Sequence, residues 1–189
     1  MKPVIWLGLA SLLLAGCAAT PSVLTPRDAV RDFALEARFA LKVSLPDQTG
    51  QSSGGRLSWA HQGDTDRILV ANPLGYGLAE IISTPAQATL RTADGKTRES
   101  SDPDALMEEV TGQRLPVTRL PAWLLGRASD AAQVRTDPHG RPERLREAGW
   151  QINYRYDNDG ADALPSLINL QRGSEIELRL RIEEWKETP

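Results

Sequence analysis

From Leu35 onward the chain alternates between apolar and polar positions. Leu35, Ala37, Phe39, Leu41, Val43 and Leu45 are apolar, and Glu36, Arg38, Lys42 and Ser44 lie between them. A period of two sustained this long predicts a strand with one wet face. Leu57 and Trp59 alternate with Arg56 and Ser58 in a second strand. Residues 67–72, 76–83, 87–92 and 97–100 read as further short strands, with Pro or Gly turns between most of them. Near the C-terminus, Trp150, Ile152, Tyr154 and Tyr156 alternate with Gln151, Asn153 and Arg155. Ile176, Leu178, Leu180 and Ile182 then alternate with Glu175, Glu177, Arg179 and Arg181. Strands at regular spacing with no helices between them predict an antiparallel meander.

Helical signals interrupt this pattern at three places. Thr25-Pro26-Arg27-Asp28 has a hydroxyl cap, a first-turn proline and an acid, and predicts a short helix to about Asp32. Asp102-Pro103-Asp104 starts a second helix whose apolar face is Leu106, Met107 and Val110, with Gly112 ending it. Leu120 to Leu125 is a third, very apolar piece that carries Trp123 and stops at Gly126. A sheet with one apolar face and apolar helices inserted midway predicts a barrel or half-barrel, its helices packed over the concave side. Trp59, Leu69, Leu90, Trp150, Ile152, Leu178 and Leu180 fall on the inward faces so predicted, and Leu106, Val110 and Leu124 on the helical cover. A fully packed core is the alternative to a cavity, although only two Phe residues make the interior aliphatic rather than aromatic.

The first residues change the picture from a soluble domain to an anchored one. Lys2 precedes an uncharged apolar run from Val4 to Ala15, and Leu14-Ala15-Gly16-Cys17 closes it with the only cysteine of the chain. A run this short reads as a signal peptide, because a bilayer-spanning helix needs about twenty residues. Small residues let the backbone enter a peptidase site, and the thiol is the nucleophile that takes up lipid. An ordinary secretory leader with a chance cysteine is the weaker alternative. The division expected is a signal peptide over 1–16, a lipidated tether over 17–25 and a single domain over 26–189. One cysteine permits no internal disulfide, so stability must come from packing. Lys2 is the one charged residue of the leader, which leaves 21 of the 22 basic residues against 25 acidic ones. That mixed, mildly acidic balance argues against a nucleic-acid partner.

Catalytic and metal-binding patterns are poorly supplied. Gly50-Gln51-Ser52-Ser53-Gly54 matches the G-x-S-x-G elbow of serine hydrolases, but it lies between two alternating strands, as a hairpin connection would. His61 and His139 are the only histidines, and their spacing suits neither a triad nor a metal site. No phosphate-cradling P-loop is present. Asp102 and Asp104 sit in a first helical turn, where the helix dipole accounts for acids. The reading is a protein that is not an enzyme and uses neither cofactor nor metal.

Asn72-Pro73-Leu74-Gly75-Tyr76-Gly77 stands apart. Pro73 presets a turn and Gly75 permits positive φ, which places Leu74 at the tip between two strands, where a leucine gains nothing from water; a leucine folded back onto the core is the alternative.

Taken together these residues resemble the outer-membrane lipoprotein receptor LolB family over essentially the whole chain. The resemblance runs from Cys17 through Trp59 and Arg67–Gly75 to Thr111-Gly112, Leu115-Pro116 and Leu120–Gly126. It continues through Gly149–Tyr154 to Leu180–Trp185. Tyr76-Gly77 departs from it where some relatives are more polar, and the tether is short. The resemblance implies an incomplete antiparallel barrel of about eleven strands, with short helices covering an apolar cavity for acyl chains. It further implies a monomer lipid-anchored at Cys17, facing the periplasm. Such a protein would accept lipoproteins from the periplasmic carrier LolA and insert them into the inner leaflet of the outer membrane. Leu74 takes the position of the family's protruding, membrane-inserting leucine. Ala18 is not the aspartate that retains lipoproteins in the inner membrane. A structural or assembly lipoprotein whose sheet binds another envelope protein is the alternative. The hydrophobic effect favours the transfer reading, since each exposed acyl CH₂ costs about 0.8 kcal/mol and the chains need shielding in transit.

Overall fold

The structure, a computed structural model, describes residues 26–44, 50–111 and 113–186. Cys17, the leader, the tether, Leu45, Gly112 and the side chain of Val110 lie outside the described residues. A 3-10 turn, Arg27–Ala29, precedes six strands: β1 (Phe33–Val43), β2 (Gln51–Gln62), β3 (Thr65–Ala71), β4 (Gly77–Ser83), β5 (Ala88–Thr92) and β6 (Thr97–Ser100). Two helices follow, α1 (Pro103–Thr111) and α2 (Leu120–Leu124). The chain closes with β7 (Gln133–Thr136), β8 (Pro142–Glu147), β9 (Trp150–Arg155), β10 (Leu167–Arg172) and β11 (Ile176–Lys186).

All eleven strands form one antiparallel sheet in the order β6-β5-β4-β3-β2-β1-β11-β10-β9-β8-β7. The fold is therefore mainly β, an open sheet not closed into a barrel, with two short helices. Two meanders meet along the long β1–β11 pair, which runs from Ala34 opposite Lys186 to Val43 opposite Ile176. The edges, β6 and β7, are four residues each and mostly exposed, with Arg98, Glu99 and Arg135 along them. Short charged edges resist pairing with another sheet. The helices lie in sequence between these two edges, so the crossing from one edge to the other carries them over the buried face of the sheet.

Alternation decides which face is dry. Phe33, Leu35 and Ala37 on β1 are buried, as are Leu57 and Trp59 on β2. Ile152 on β9, Ile168 and Leu170 on β10, and Leu180 and Ile182 on β11 join the same cluster. Leu106 of α1 and Leu120, Trp123 and Leu124 of α2 complete it from the other side. One continuous core thus lies between sheet and helices.

The structure departs from the sequence pattern at particular points. Residues 26–32 hold only the 3-10 turn, and Val30 is already extended. Residues 51–54 belong to β2 rather than to a hairpin connection, with Gly54 opposite Ala40 and Gly55 opposite Phe39. Glycine is required at 55, where a Cβ would lie 2.1 Å from the Ala71 carbonyl oxygen and 3.1 Å from the Phe39 ring. β7, β8 and β10 are strands the alternation did not reveal.

Candidate functional site

Two features are the candidates for a functional site: the apolar interior beneath α2, and the turn that presents Leu74. Each is built locally by its own sequence.

α1 begins where Asp102 Oδ1 accepts the backbone N–H groups of Asp104 and Ala105, at 3.0 and 3.1 Å. This is side-chain capping of a helix start. α2 is one apolar turn with Pro121 near its start, and Gly126 follows at φ 70°. Trp123 is 1% exposed and is the largest fully buried side chain. Its indole N–H donates to Glu147 Oε2 at 2.9 Å, and its carbonyl accepts the Tyr154 hydroxyl at 2.9 Å. Its ring lies 6.2 Å from that of Trp150, tilted by 50°. Arg119, the residue before α2, pairs with Glu147 Oε1 at 3.2 Å. Burial pushes the Glu147 carboxyl up, but hydrogen bonds from Trp123 and Ser129 and the nearby Arg119 charge outweigh it. The net effect holds Glu147 below the usual carboxylate range. The cover is thus seated by packing and by a buried polar fastening on β8 and β9.

The residues expected to line a cavity distribute as follows. Trp59, Leu90, Leu106, Leu124, Trp150, Ile152 and Leu180 are buried in the core beneath or within the cover, and Leu178 is partly buried against it. Leu69 is a correction: it is 45% exposed, on the outer face. Ile68-Leu69-Val70 is a continuous apolar run with no phase of its own. Pairing supplies the phase, because Ile68 stands opposite buried Trp59, and Leu69 opposite Ser58. The family resemblance implies an apolar cavity in this region, with a fully packed core as the alternative. Here Leu120, Trp123 and Leu124 of α2 are buried in that core against the sheet.

The Leu74 turn is rigidly specified. Gly75 N–H donates to the Asn72 carbonyl at 2.9 Å, and Asn72 N–H to the Tyr76 carbonyl at 2.9 Å. Asn72 Oδ1 also accepts the N–H groups of Leu74 and Tyr76, at 2.9 and 3.0 Å. Gly75 has φ 93°, whereas Leu74 does not have positive φ. This is a type I turn with proline at its second position, followed by a left-handed glycine, a standard three-residue hairpin loop. Leu74 is 82% exposed and Tyr76 70%, with Leu78 following half-exposed. The turn is closed by backbone groups and Asn72 Oδ1, so these hold an apolar side chain out in water.

A polar cluster at the opposite end of β3 and β4 was not foreseen. Asp66 Oδ1 accepts the Trp59 indole N–H at 2.7 Å and faces His61 Nδ1 at 2.8 Å. The Phe33 ring stacks on His61 at 5.2 Å and 24°. The hydrogen bond to Asp66 raises the His61 pKa despite partial burial. His61 and Asp66 are direct cross-strand partners around the Gly63-Asp64 turn. That hairpin register is the signal that would have found them.

Comparison with known proteins fixes the family. Residues 31–185 match the family profile described as Outer membrane lipoprotein LolB. An outer-membrane lipoprotein LolB of Dechloromonas aromatica strain RCB is 64% identical over 178 residues, covering 94% of each chain. Another, from Halorhodospira halophila, is 33% identical and covers 94% of this chain and 91% of its own. Among solved structures, a DUF1329 family protein from Desulfovibrio piger shares the fold at a TM-score of 0.50 and 10% identity. That match covers 85% of this chain and 87% of the other. The apolar interior under a helical cover and the exposed Leu74 turn are therefore features of a chain that belongs to the LolB family of outer-membrane lipoproteins.

Proposed function

We propose that this protein is an outer-membrane receptor that accepts lipoproteins from the periplasmic carrier LolA and inserts them into the inner leaflet. The observation that carries the reading is the exposed Leu74, held by backbone hydrogen bonds at the tip of a fixed hairpin. In this account Cys17 carries the lipid anchor, and Leu74 enters the membrane edge. Acyl chains take the space between the sheet and α2, displacing the side chains that now fill it. Trp59, Leu90, Leu106, Val110, Leu124, Trp150, Ile152, Leu178 and Leu180 are the candidates to line that space, and Leu69 is not among them. The work is transfer rather than catalysis, and the chain acts as a monomer without cofactor.

Physical chemistry favours such a division of labour. Recognition of many clients by their chains alone needs apolar area and few oriented polar groups. Handover without nucleotide runs toward the site that binds the chains better, so the receptor must outbind the carrier. Moving the cover exposes Leu120, Trp123 and Leu124, a cost that the entering acyl chains offset by burying their own apolar surface in the same place. The test is transfer in vitro: carrier loaded with a lipoprotein is mixed with this protein, then with liposomes. The lipoprotein is expected to appear first on this protein and then in the liposomes. Persistent retention on the carrier would overturn the reading.

A further inference from the structure

A pocket of about 500 Å³ opens at the seam between α2 and the rim of β2, β3 and β4. Its floor is Pro121, Ala122 and Leu125 of the α2 region, and its walls include Arg31, His61, Asp64, Thr84 and Arg127. Leu125 belongs to the buried core. Asp66, also at the wall, holds the Trp59 indole beneath it. The pocket therefore lies directly over the apolar interior, at the margin of the part that must shift to admit a chain.

We propose that this pocket holds the polar collar of a client's acylated N-terminal cysteine, the glyceryl esters and the N-acyl amide, while its chains run beneath α2. The proposal rests on the receptor reading and deepens it. The collar is uncharged and rich in carbonyl acceptors. The pocket is rich in donors: Arg31 is exposed at the wall, with one nitrogen on the Asp28 carbonyl at 3.3 Å and others free to face a ligand. Arg127 anchors one nitrogen on the carbonyls of Arg27, Asp28 and Val30 and brings the rest of its guanidinium to the same wall. The Asp66 carboxylate accepts from Nδ1 of His61, which leaves Nε2 as the ring's other polar atom. Nε2 is a donor when the imidazole is protonated and an acceptor when it is neutral. Asp32, Asp64 and Asp66 all favour the protonated ring. Arg31 and Arg127 are the cations at the same pocket, and the α2 residues facing it are uncharged. An amphiphile with chains below and acceptors above matches this arrangement of apolar floor and donor wall.

The probes are two soluble amphiphiles with two six-carbon chains each: an N-acetylated dihexanoylglyceryl-cysteine peptide, which carries the esters and the uncharged amide, and a dihexyl ether bearing one hydroxyl in place of the collar. Wild type should bind the lipopeptide more tightly. Arg31→Ser and His61→Gln should each weaken lipopeptide binding about fivefold, the scale of one hydrogen bond, and leave the ether unchanged. Affinity for the lipopeptide should also fall as pH rises through the His61 pKa, above 6.5, and His61→Gln should abolish that slope. Melting curves accompany each variant, and exposed Arg31 carries the test if His61→Gln disturbs the hairpin. Equal loss for both probes, or no loss for either, would overturn the proposal while leaving the receptor reading intact. Failure of wild type to bind either probe would overturn both.

Discussion

Leu74→Glu separates a membrane-facing leucine from a structural one. In the folded protein this side chain is 82% exposed, so less than a fifth of its surface is withdrawn from water. Full burial of a leucine is worth about 1.5–3 kcal/mol, so its present contacts contribute roughly 0.3–0.5 kcal/mol. At about 2–4 °C per kcal/mol for a domain of this size, the melting temperature should fall by no more than about 2 °C. The turn itself is held by Asn72 and backbone groups, none of which the substitution removes. At a bilayer the balance reverses. Losing the full leucine burial weakens the docked orientation roughly ten- to hundredfold, and a carboxylate adds its own desolvation cost. The assay measures melting beside release of a bound lipoprotein into liposomes for the same variant. Near-native melting with intact uptake from the carrier and lost release is the expected outcome. A fall of more than about 5 °C, or undiminished release, would refute the reasoning.

Further predictions follow from the interior and the anchor. Glu147→Gln keeps an acceptor for the Trp123 indole but removes the charge that Arg119 meets, so acyl probes should enter faster. Because the folded Glu147 pKa is lowered, its stabilisation is present above its unfolded value of 4.5 and is lost as pH falls through the folded pKa. Acid melting of the variant should therefore be less steep in that range, and an unchanged profile would count against the fastening. Gly55→Ala places a Cβ 2.1 Å from the Ala71 carbonyl and should cost about 1–3 kcal/mol by overpacking; wild-type melting would contradict the β2–β3 register. Cys17→Ala behind an ordinary secretory leader should give a folded protein that a salt wash removes from membranes, and tight retention would place the anchor elsewhere.

The sequence displayed what alternation can display. β1, β9 and β11 each carry apolar residues on one face and polar or charged ones on the other, and the Asp102 cap announced α1. β8 reads Pro-Glu-Arg-Leu-Arg-Glu, with a single aliphatic side chain, because its other inward positions are a proline and the buried Glu147. β7 is an exposed edge with no dry face to produce a pattern. The Gly-rich start of β2 looked like a loop because glycine there answers to crowding by the β3 end, which only pairing creates. At the site, Pro73 and Gly75 made the turn legible, while the projection of Leu74 was implied by the family resemblance. Leu69 was not, since its face depends on which strand position meets Trp59. The Glu147–Trp123 fastening and the rim pocket join residues far apart in the chain, and no local periodicity encodes them.

The central claim is that lipoprotein moves from carrier to this chain without an energy source. The direct measurement loads LolA with a lipoprotein bearing a photocrosslinker on one acyl chain, adds this protein without nucleotide, and follows the crosslink over time. The account predicts that crosslinks to the carrier decay while crosslinks to buried residues such as Trp59, Leu124 and Ile152 appear, with near-complete transfer at equal concentrations. Crosslinks that remain on the carrier, or that reach only the outer face around Leu69 and Ile82, would contradict it.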